Sequence, residues 1–360
     1  MTQSKTVAIL FGGKSVEHKV SLRSAKNIFD NIDKDRYNVI LIGISQTGNW
    51  YFMEEFGFDI ESGEPLSVRL SQEEEIFFLS GNGRSIGKID IFFPVLHGND
   101  GEDGSIQGLL RTLDMPVVGT GVLGSAVVFD KVCSKRLLTE SGIPNARFLT
   151  YSVEEIEHIS FDHVCNYLGL PFFIKPVASG SSVGVSKVEH EDQFHHALKD
   201  TFQYDNMVLI EEYIEGREIE CSVKGNQDPE VSQPGEIRVG GGHDFYSFDA
   251  KYVDESGADL DMPAKLDEQT SEKIREIARK AYITLYCEDF ARVDMFLKEN
   301  GEIYVNEINS IPGFTHISMF PKLWTLDGIA YKELISELIE TALYKHERAI
   351  RIKRDYDSAL

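Results

Sequence analysis

The chain has few cysteines and no recognisable pattern among them. Its 360 residues include Cys133, Cys165, Cys221 and Cys287, which lie far apart and form no Cys-x-x-Cys pair. Cysteines spaced in this way are typical of reduced thiols with a mostly structural role. The sequence therefore predicts a cytoplasmic protein.

The chain also lacks an excess of positive charge and any long apolar run. Lysine and arginine total 36 against 59 aspartates and glutamates, which gives a formal net charge of -23. Such a charge argues against general affinity for nucleic acid or anionic membranes, although a small anion can still bind in a locally basic pocket. No apolar stretch approaches the roughly 20 residues of a membrane span, and the first residues show no signal-peptide pattern. We therefore expect neither nucleic acid nor a membrane as a partner.

The length is sufficient for two or three domains, and there are no repeats or low-complexity segments. The first third alternates strand-like and helix-like stretches, at 6–11, 20–32, 39–44 and 89–95. This rhythm predicts a parallel sheet covered by helices, with ligands bound beyond the carboxyl ends of its strands. The polar, irregular stretch 54–83 predicts a surface insertion.

The pattern changes from about residue 119. We expect a helix with basic residues at 130–141 and three strands at 171–175, 208–213 and 219–223. An amphipathic helix at 274–285 and a C-terminal helix at 331–344 are expected to follow. The amphipathic helix repeats apolar residues at helical spacing. The C-terminal helix carries an apolar stripe, and we expect it only to pack against the rest of the chain.

The most informative segment is a predicted β-hairpin over 291–309. Its halves flank Asn300-Gly301, the dipeptide that most strongly indicates a two-residue hairpin turn. With the turn there, the numbers of paired residues sum to 601, so Asp294 faces Glu307 and Arg292 faces Asn309. Strand side chains alternate between faces, so all four are predicted on one face of the hairpin.

This face is a candidate metal site. Two carboxylates directly opposite each other repel unless a positive charge lies between them. All candidate ligands are oxygens, which favours Mg²⁺, Mn²⁺ or Ca²⁺ over zinc. An ordinary solvated face is the alternative, but the intervening Val293, Met295 and Ile308 are apolar.

A Gly/Ser-rich loop, 177–184, follows a predicted buried strand that ends in Lys175. Such loops wrap phosphate oxygens with backbone N–H groups and hydroxyls, although this one does not match the P-loop motif. Lys131 and Lys175 are candidates to neutralise phosphate charge. Glu211 and Glu212 are candidates to accept hydrogen bonds from adenine or ribose. Each also has a plainer interpretation, as a surface turn, a surface lysine or a strand-edge charge.

Three further segments leave alternatives open. The loop 97–104 is rich in glycine and acid, and is either a solvated turn or backbone that approaches a small substrate. The loop 12–17 lacks Gly-x-Gly-x-x-Gly spacing, and Glu17 in it is a candidate to hold an ammonium group. The aromatic stretch 245–252 is either local packing or a lid that excludes water.

Taken together, these residues closely resemble the D-alanine–D-alanine ligases of the ATP-grasp superfamily. The similarity runs in the family's order from Phe11 to Ser318. It is most specific in 97–108, HGNDGEDGSIQG, and in the hairpin with its sequel 306–313, NEINSIPG. One departure is Asp289, where many relatives carry glycine, and we expect only a local backbone effect from it.

The resemblance implies an α/β fold, α+β in the ATP-binding part, with three-domain ATP-grasp architecture. The expected parts are an N-terminal parallel-sheet substrate domain at 1–119 and a central ATP-grasp lid domain at 120–211. A C-terminal catalytic and metal-binding domain is expected at 212–360. ATP would lie between the central and C-terminal domains.

The resemblance also implies roles for individual residues. It implies two Mg²⁺ or Mn²⁺ ions, held by Asp294, Glu307 and Asn309. Residues expected to bind ATP are Lys131, Lys175, Ser182, Glu211, Glu212, Glu218 and Lys251. Glu17 is expected to hold the ammonium of the first substrate, with Ser181 and Tyr252 linking Glu17 to the lid. Arg292 is the expected oxyanion stabiliser, and the remaining substrate contacts are His97, Gly313 and Ser318.

The implied reaction is ATP-dependent joining of two D-alanines to D-alanyl-D-alanine through an acyl phosphate, for peptidoglycan precursors, in a cytoplasmic homodimer. A D-alanine–D-lactate or D-alanine–D-serine ligase is the nearest alternative. Tyr252, which depsipeptide-forming relatives tend to lack, favours an amine as second substrate. A non-catalytic nucleotide- or Ca²⁺-binding module would not need Arg292 or a lid. A dinucleotide-dependent oxidoreductase would rest on Gly12-Gly13 alone.

Overall fold

The computed structural model describes residues 4–69, 75–240 and 258–353. Within these ranges the chain forms three β-sheets flanked by helices. Among the described helices, none combines the length and apolar character needed to cross a bilayer.

The N-terminal sheet is mixed. Its strands are β1 (Lys5–Gly12), β2 (Tyr37–Ile44), β3 (Trp50–Met53), β4 (Glu64–Val68), β5 (Phe77–Leu79) and β6 (Ile91–Val95), in the order β5-β4-β3-β2-β1-β6. β1 pairs in parallel with β2 and β6, as the β-α-β rhythm predicts. The helix α1 (His18–Asn31) packs on β1 through buried residues that include Leu22, Ala25 and Ile28. The helix α2 (Ser105–Thr112) follows the loop after β6.

The expected surface insertion at 54–83 is wrong in part, because β4 and β5 lie within it and extend the sheet. They pair in antiparallel fashion with each other and, through β4, with β3. Phe77 and Leu79 of β5 are buried, and Phe77 packs against Trp50 and Phe92. Strands of three and five residues are too short to leave a clear alternation in the sequence.

The second sheet is antiparallel. It consists of β7 (Phe148–Ser152), β8 (Phe172–Pro176), β9 (Ser186–Val188) and β10 (Met207–Glu212), in the order β7-β10-β8-β9. The helices α5 (Phe161–Leu168) and α6 (Glu191–Thr201) cover one face, with Phe172 and Phe194 in the shared core. The strands predicted at 171–175 and 208–213 are confirmed. The loop 177–184 begins where β8 ends.

The third sheet is also antiparallel. Its strands are β11 (Arg217–Lys224), β12 (Glu230–Val231), β13 (Gly235–Val239), β14 (Ala258–Asp261), β15 (Phe290–Leu297) and β16 (Ile303–Asn309), in the order β14-β13-β11-β15-β16, with β12 paired to β11. The predicted amphipathic helix is α7 (Glu268–Thr284), and it buries Ile274, Ala278 and Ala281 against this sheet. Asp267 begins that helix by accepting the Thr270 N–H at 2.9 Å.

Two helices between the first and second sheets pack on the third. These are α3 (Val122–Phe129) and α4 (Lys131–Glu140), which contribute Val128 and Leu138 to the core of the third sheet. The predicted boundary after residue 119 assigns these helices to the central domain. The division into 1–119, 120–211 and 212–360 stays a prediction.

The N-terminal sheet and the third sheet share one apolar core. Phe93 of β6 packs against Phe290 and Phe314, and Phe290 also packs against Phe320. The helix α8 (Met319–Leu326) contributes Phe320, and α9 (Tyr331–Ile350) buries its stripe of Leu334, Ile335, Leu338, Ile339 and Ala342 in the same core. The packing role expected of the C-terminal helix is confirmed.

Asp289 has more than the local backbone effect expected of it. It has φ 60°, in the left-handed region that glycine favours, and its side chain is fully buried. The carboxylate accepts hydrogen bonds from Gly119 N–H at 2.9 Å, Lys345 Nζ at 2.8 Å and Asn226 Nδ2 at 2.9 Å. The side chain therefore joins the end of the N-terminal part, the third sheet and α9, which a glycine cannot do.

Candidate active site

A cavity of about 380 Å³ opens between the second and third sheets. Its walls include Ser181, the predicted partner of Glu17, and residues that the sequence singled out for phosphate, nucleotide or metal binding: Lys131, Lys175, Ser182, Glu211, Glu212, Glu218, Asp294 and Glu307. They come from α4, β8 and its following loop, β10, β11, β15 and β16. The fold thus brings residues from distant parts of the chain into one cleft.

The hairpin at this cleft has the predicted pairs but not the predicted turn. Asp294 faces Glu307, and Arg292 faces Asn309. At the other end, Lys298 N–H donates to Glu302 O at 2.9 Å and Gly301 N–H donates to Lys298 O at 2.9 Å. Three residues, 299–301, therefore lie in the turn between the paired Lys298 and Glu302, rather than two. Gly301 takes φ 80°, the left-handed conformation that such a loop requires.

A β-bulge restores the predicted register. From Leu297–Ile303 to Met295–Val305 the paired numbers sum to 600, as the three-residue turn dictates. Between Asp294 and Met295 the register shifts by one, so Asn306 is the extra residue and the sum becomes 601. The predicted pairing at the site is confirmed because the turn and the bulge offset each other.

Arg292 lies at the centre of the charged hairpin face. Its Nε and Nη2 donate to the two carboxylate oxygens of Asp294, at 2.7 Å each. Asn309 Nδ2 also donates to Asp294, at 2.9 Å. Glu220 lies opposite Asp294 on β11 and approaches Arg292 Nε to 3.0 Å. A row of carboxylates, Glu220, Asp294 and Glu307, therefore crosses three strands with one guanidinium beside it.

Glu211 is held by two lysines beneath the cleft. Lys135 Nζ lies 2.7 Å from one carboxylate oxygen, and Lys175 forms an ion pair with the other. Burial alone would raise the pKa of Glu211, but the two ammonium groups outweigh it and lower that pKa to about 2. Glu211 is therefore ionised at neutral pH. It also raises the pKa of Lys175, against the effect of burial.

Lys131 lies at the start of α4, where Asp130 accepts the Cys133 N–H at 2.8 Å and caps the helix. Its Nζ donates to Ser179 O at 2.5 Å, so it contacts the loop 177–184 directly. Burial lowers its pKa, whereas the negative charge of Glu307 opposes that shift. A poorly solvated ammonium beside this Gly/Ser-rich loop is a candidate to bind anionic oxygens.

The loop 177–184 has unusual backbone geometry. Ser181 and Ser182 have φ 51° and φ 57°, the left-handed region that non-glycine residues seldom adopt. Such strained positions cluster at sites where a loop is shaped for a ligand.

Glu212, another residue of the cleft, forms an ion pair with Arg147. The Nε and Nη2 atoms of Arg147 lie 2.7 Å and 2.6 Å from Glu212 Oε2.

Glu17 begins α1 and is almost fully buried. The Ser181 hydroxyl donates to its Oε1, which is the predicted contact between these two residues. A Cβ added at Gly98 would lie 2.8 Å from Glu17 Oε2, and one added at Gly180 only 2.5 Å from it. The carboxylate therefore fits between two glycines, one from the loop after β6 and one from the phosphate-loop candidate.

His97 is buried, and both its ring nitrogens contact protein groups. Nδ1 lies 3.0 Å from Ile311 O, and Nε2 lies 3.2 Å from Ser24 Oγ. Burial lowers the pKa of His97, which favours the neutral ring. Its expected contact with the first substrate stays a prediction.

Glu102, in the same loop, was not singled out by the sequence. Its Oε2 accepts the Gly98 N–H at 2.7 Å and its Oε1 accepts the Ile311 N–H at 3.2 Å. Burial, and then the charge of Glu17, raise the pKa of Glu102 to about 8, despite these hydrogen bonds.

Gly313 and Ser318 lie in the turn after the hairpin. Ser318 Oγ accepts the Thr315 N–H at 3.0 Å and lies 2.8 Å from Thr315 Oγ1. A Cβ added at Gly313 would lie 2.8 Å from Ser318 Oγ, so these two residues are in direct contact. Lys251, Tyr252 and the candidate lid 246–252 lie outside the described residues.

Sequence reasoning missed Lys135 and Glu220, although each left a signal. Lys135 follows Lys131 by four residues, which places both on one face of a helix. Glu220 alternates with buried Ile219 and Cys221, and lies two residues from Glu218, which the sequence did single out. Spacing within each element was enough to add them to the site.

Known proteins match nearly the whole chain. Models of the D-ala D-ala ligase N-terminus and C-terminus match residues 6–120 and 137–340. A D-alanine–D-alanine ligase of Oceanobacillus iheyensis is 49% identical, over 97% of this chain and 98% of that protein.

Solved structures agree with the sequence comparison. The VanG D-Ala:D-Ser ligase of Enterococcus faecalis is 34% identical with a TM-score of 0.85, over 94% of this chain and 100% of that one. The D-alanine–D-alanine ligase of Bacillus anthracis complexed with ATP is 28% identical with a TM-score of 0.73, over 96% and 100%. The three-sheet fold is thus the ATP-grasp architecture of these enzymes, and the chain belongs to the D-alanine–D-alanine ligase family.

Proposed function

We propose that the protein joins two molecules of D-alanine to D-alanyl-D-alanine, with conversion of ATP to ADP and phosphate. The observation that carries the proposal is the cleft in which a lysine-flanked loop meets Asp294 and Glu307 on the hairpin face. Relatives that align over nearly the full length carry the name of this activity. The dipeptide is a building block of peptidoglycan precursors.

ATP lies in the cleft between the second and third sheets. Its phosphates face the loop 177–184 with Lys131 and Lys175, whose positive charges neutralise phosphate oxygens. Its adenine and ribose face Glu211, Glu212 and Glu218. The lysine contacts of Glu211 keep it ionised, so it acts only as a hydrogen-bond acceptor, the role that an adenine amino group requires.

Asp294, Glu307 and Asn309 fit two Mg²⁺ or Mn²⁺ ions, because all three offer hard oxygen donors on one face of the hairpin. Only two of them are carboxylates. Phosphate oxygens would complete the coordination. When bound, the ions would supply charge neutralisation at the transferring phosphoryl group.

The first D-alanine lies with its ammonium at Glu17, which Ser181 holds in place. Its carboxylate oxygen attacks the γ-phosphorus of ATP and ADP leaves, which gives an acyl phosphate. The deprotonated amine of the second D-alanine then attacks the acyl carbon. Arg292 stabilises the oxyanion of the tetrahedral intermediate, and collapse of that intermediate expels phosphate.

The second D-alanine has its carboxylate at Ser318 and lies beside Gly313. Acyl phosphates hydrolyse readily, so water must be excluded during turnover. That requirement gives the aromatic lid 246–252, with Lys251 and Tyr252, its role. We further propose a cytoplasmic homodimer with domains at 1–119, 120–211 and 212–360.

The test is ATP-dependent phosphate release with Mg²⁺ and D-alanine, with products identified by mass. Parallel reactions contain L-alanine, or D-alanine with excess D-serine or D-lactate. We expect D-alanyl-D-alanine as the main product whenever D-alanine is present. A dominant D-alanyl-D-lactate or D-alanyl-D-serine product would overturn the substrate assignment, and no phosphate release from any mixture would overturn the activity itself.

A further inference from the structure

The turn that follows the hairpin of β15 and β16, proposed to bind metal and called the metal hairpin below, is held by three side chains from the N-terminal part of the chain. Glu102 Oε1 accepts the Ile311 N–H at 3.2 Å, and His97 Nδ1 lies 3.0 Å from Ile311 O. Ser24 Oγ accepts the Phe314 N–H at 3.2 Å and lies 3.2 Å from His97 Nε2. Ser24, His97 and Glu102 are all buried. We call these three residues the turn clamp.

For the neutral His97 ring, which burial favours, the donors and acceptors of the turn clamp permit one consistent arrangement. Ile311 O is an acceptor, so His97 must carry its proton on Nδ1. The neutral ring then accepts at Nε2, and the Ser24 hydroxyl donates to it while accepting from Phe314. Both polar backbone groups of Ile311 are thus satisfied by the clamp, which fixes the turn in position and orientation.

The same residues also hold the loop that carries Glu17. Ser15 Oγ donates to His97 O at 2.6 Å and accepts the Glu17 N–H at 3.1 Å. Glu102 Oε2 accepts the N–H of Gly98, the glycine that packs against the Glu17 carboxylate. Glu17 and Ser24 lie at the start and middle of one helix, α1. The ammonium site and the turn are therefore parts of one hydrogen-bonded unit.

The turn lies between two groups of site residues. Asn309 of the metal face precedes Ile311 by two residues, and Gly313 follows it by two. A small shift of Ile311 would move Asn309 and Gly313 relative to Glu17. The distance from the ammonium site to the phosphoryl-transfer site would then change, and reaction rates are sensitive to such misplacement.

From these contacts we infer that Glu102, with His97 and Ser24, acts as a positioning residue that sets the first substrate's carboxylate against the metal hairpin. This inference rests on the proposed ligase function and deepens it. Glu102 acts through its hydrogen bond to the turn. Removal of its side-chain contacts should therefore weaken binding of the first D-alanine and slow the reaction. ATP binding at Lys175 and Glu211 should stay unchanged.

Two adjacent carboxylates provide a matched pair of variants. Glu102 and Asp103 each accept two backbone N–H groups, but those of Asp103 belong to Asp100 in its own loop and to Ser105 at the start of α2, at 2.9 Å each. Glu102→Gln and Asp103→Asn each remove one acceptor oxygen without changing side-chain volume. Any general loss of loop stability is common to both, whereas only Glu102→Gln breaks the contact with the turn.

The experiment measures kcat, the KM of the D-alanine that binds first, ATP affinity in the presence of Mg²⁺, and Tm for both variants and the wild type. For Glu102→Gln we expect kcat over the KM for the first D-alanine to fall roughly tenfold or more, because a buried N–H loses its partner. ATP affinity should stay within about twofold. Asp103→Asn should keep wild-type kinetic constants at temperatures where it is folded.

Ser24→Ala provides a second variant, which removes the clamp's contact with Phe314 while Glu102 stays in place. It should reduce the same kinetic ratio and again spare ATP affinity. Wild-type kinetics in both Glu102→Gln and Ser24→Ala would overturn the inference, as would equal kinetic losses in Glu102→Gln and Asp103→Asn. Failure of the wild type to form D-alanyl-D-alanine would instead overturn the proposed function.

Discussion

Arg292 donates two hydrogen bonds to the carboxylate of Asp294, two residues further along β15, at 2.7 Å each. The two side chains lie on the same face of the strand because strand side chains alternate. The bidentate pair also brings the guanidinium next to Glu220. One arginine thus neutralises part of a row of three carboxylates, two of which are proposed to bind cations, so Arg292 and those ions would compete for Asp294.

Replacing Arg292 by Met tests both of its proposed functions. The oxyanion loses its fixed positive charge, so kcat should fall on the order of 10²–10³-fold, more than ATP affinity falls. The carboxylate row also loses its guanidinium, so Mg²⁺ should raise the Tm of Arg292→Met more than that of the wild type. Steady-state kinetics and thermal melts with and without Mg²⁺ measure the two effects.

Arg292→Lys is the control for charge without the planar fork. Because lysine keeps the positive charge, Mg²⁺ should raise the Tm of Arg292→Lys less than it raises the Tm of Arg292→Met. Arg292→Lys should keep little of the wild-type kcat, because an ammonium cannot form the bidentate pair. A loss confined to the KM for ATP in Arg292→Met would contradict the oxyanion role.

Replacing Glu307 by Gln tests the metal site. The change keeps the shape of the side chain but removes the charge opposite Asp294. If each ion contributes several kcal/mol of charge stabilisation, turnover should fall on the order of 10²–10³-fold at ordinary Mg²⁺. Glu302→Gln is the matched control, because Glu302 lies at the exposed end of the same hairpin, paired with Lys298. Near-normal rates for Glu307→Gln would show that the metal ligands are misassigned.

The pairing at the site was predictable, but the path of the hairpin was not. Apolar alternation in β15 and β16 fixes which residues share a face, and Asn300-Gly301 marks the turn. Whether that turn has two or three residues depends on local backbone geometry, and the bulge at Asn306 leaves no compositional trace. The correct pairs were predicted because two shifts of one residue offset each other.

The turn clamp lay beyond sequence reasoning for a different reason. The segment 97–108 was recognised as unusual, but nothing in it indicates that Glu102 reaches Ile311, 209 residues later in the chain. Contacts of that separation depend on how the first and third sheets pack around Phe93 and Phe290. Lys135 and Glu220, in contrast, follow from helical and strand periodicity within their own elements.

Two glycines allow steric effects to be separated from backbone strain. At Gly180 an added Cβ would lie 2.5 Å from Glu17 Oε2, so Gly180→Ala must displace the proposed ammonium-binding carboxylate. We expect the KM of the first D-alanine to rise at least several-fold. Gly301→Ala meets no atom within 4 Å, but Gly301 has φ 80°. It should cost about 1 kcal/mol of stability and leave the kinetic constants unchanged. An unaltered KM in Gly180→Ala would count against Glu17 as the ammonium site.

The buried ion pairs of Glu211 make stability depend on pH in the acid range. The pKa of Glu211 is lowered from 4.5 to about 2 in the folded protein, chiefly because Lys135 and Lys175 outweigh the effect of burial. The folded state then binds fewer protons than the unfolded state between these values. The resulting stabilisation is fully present above pH 4.5 and is lost as the pH falls through about 2.

Replacing Lys135 by Met removes one of those two lysines while the apolar stem is kept. The pKa of Glu211 should rise relative to the wild type, so its stabilisation should be lost at a higher pH. At neutral pH the variant should be less stable by about 3 kcal/mol, because a buried carboxylate has lost a partner. Lys26→Met, which breaks the exposed pair with Asp30, should cost no more than about 1 kcal/mol. Urea unfolding from pH 7 to pH 3 measures both variants. Equal losses would mean that Glu211 does not depend on Lys135 for its charge.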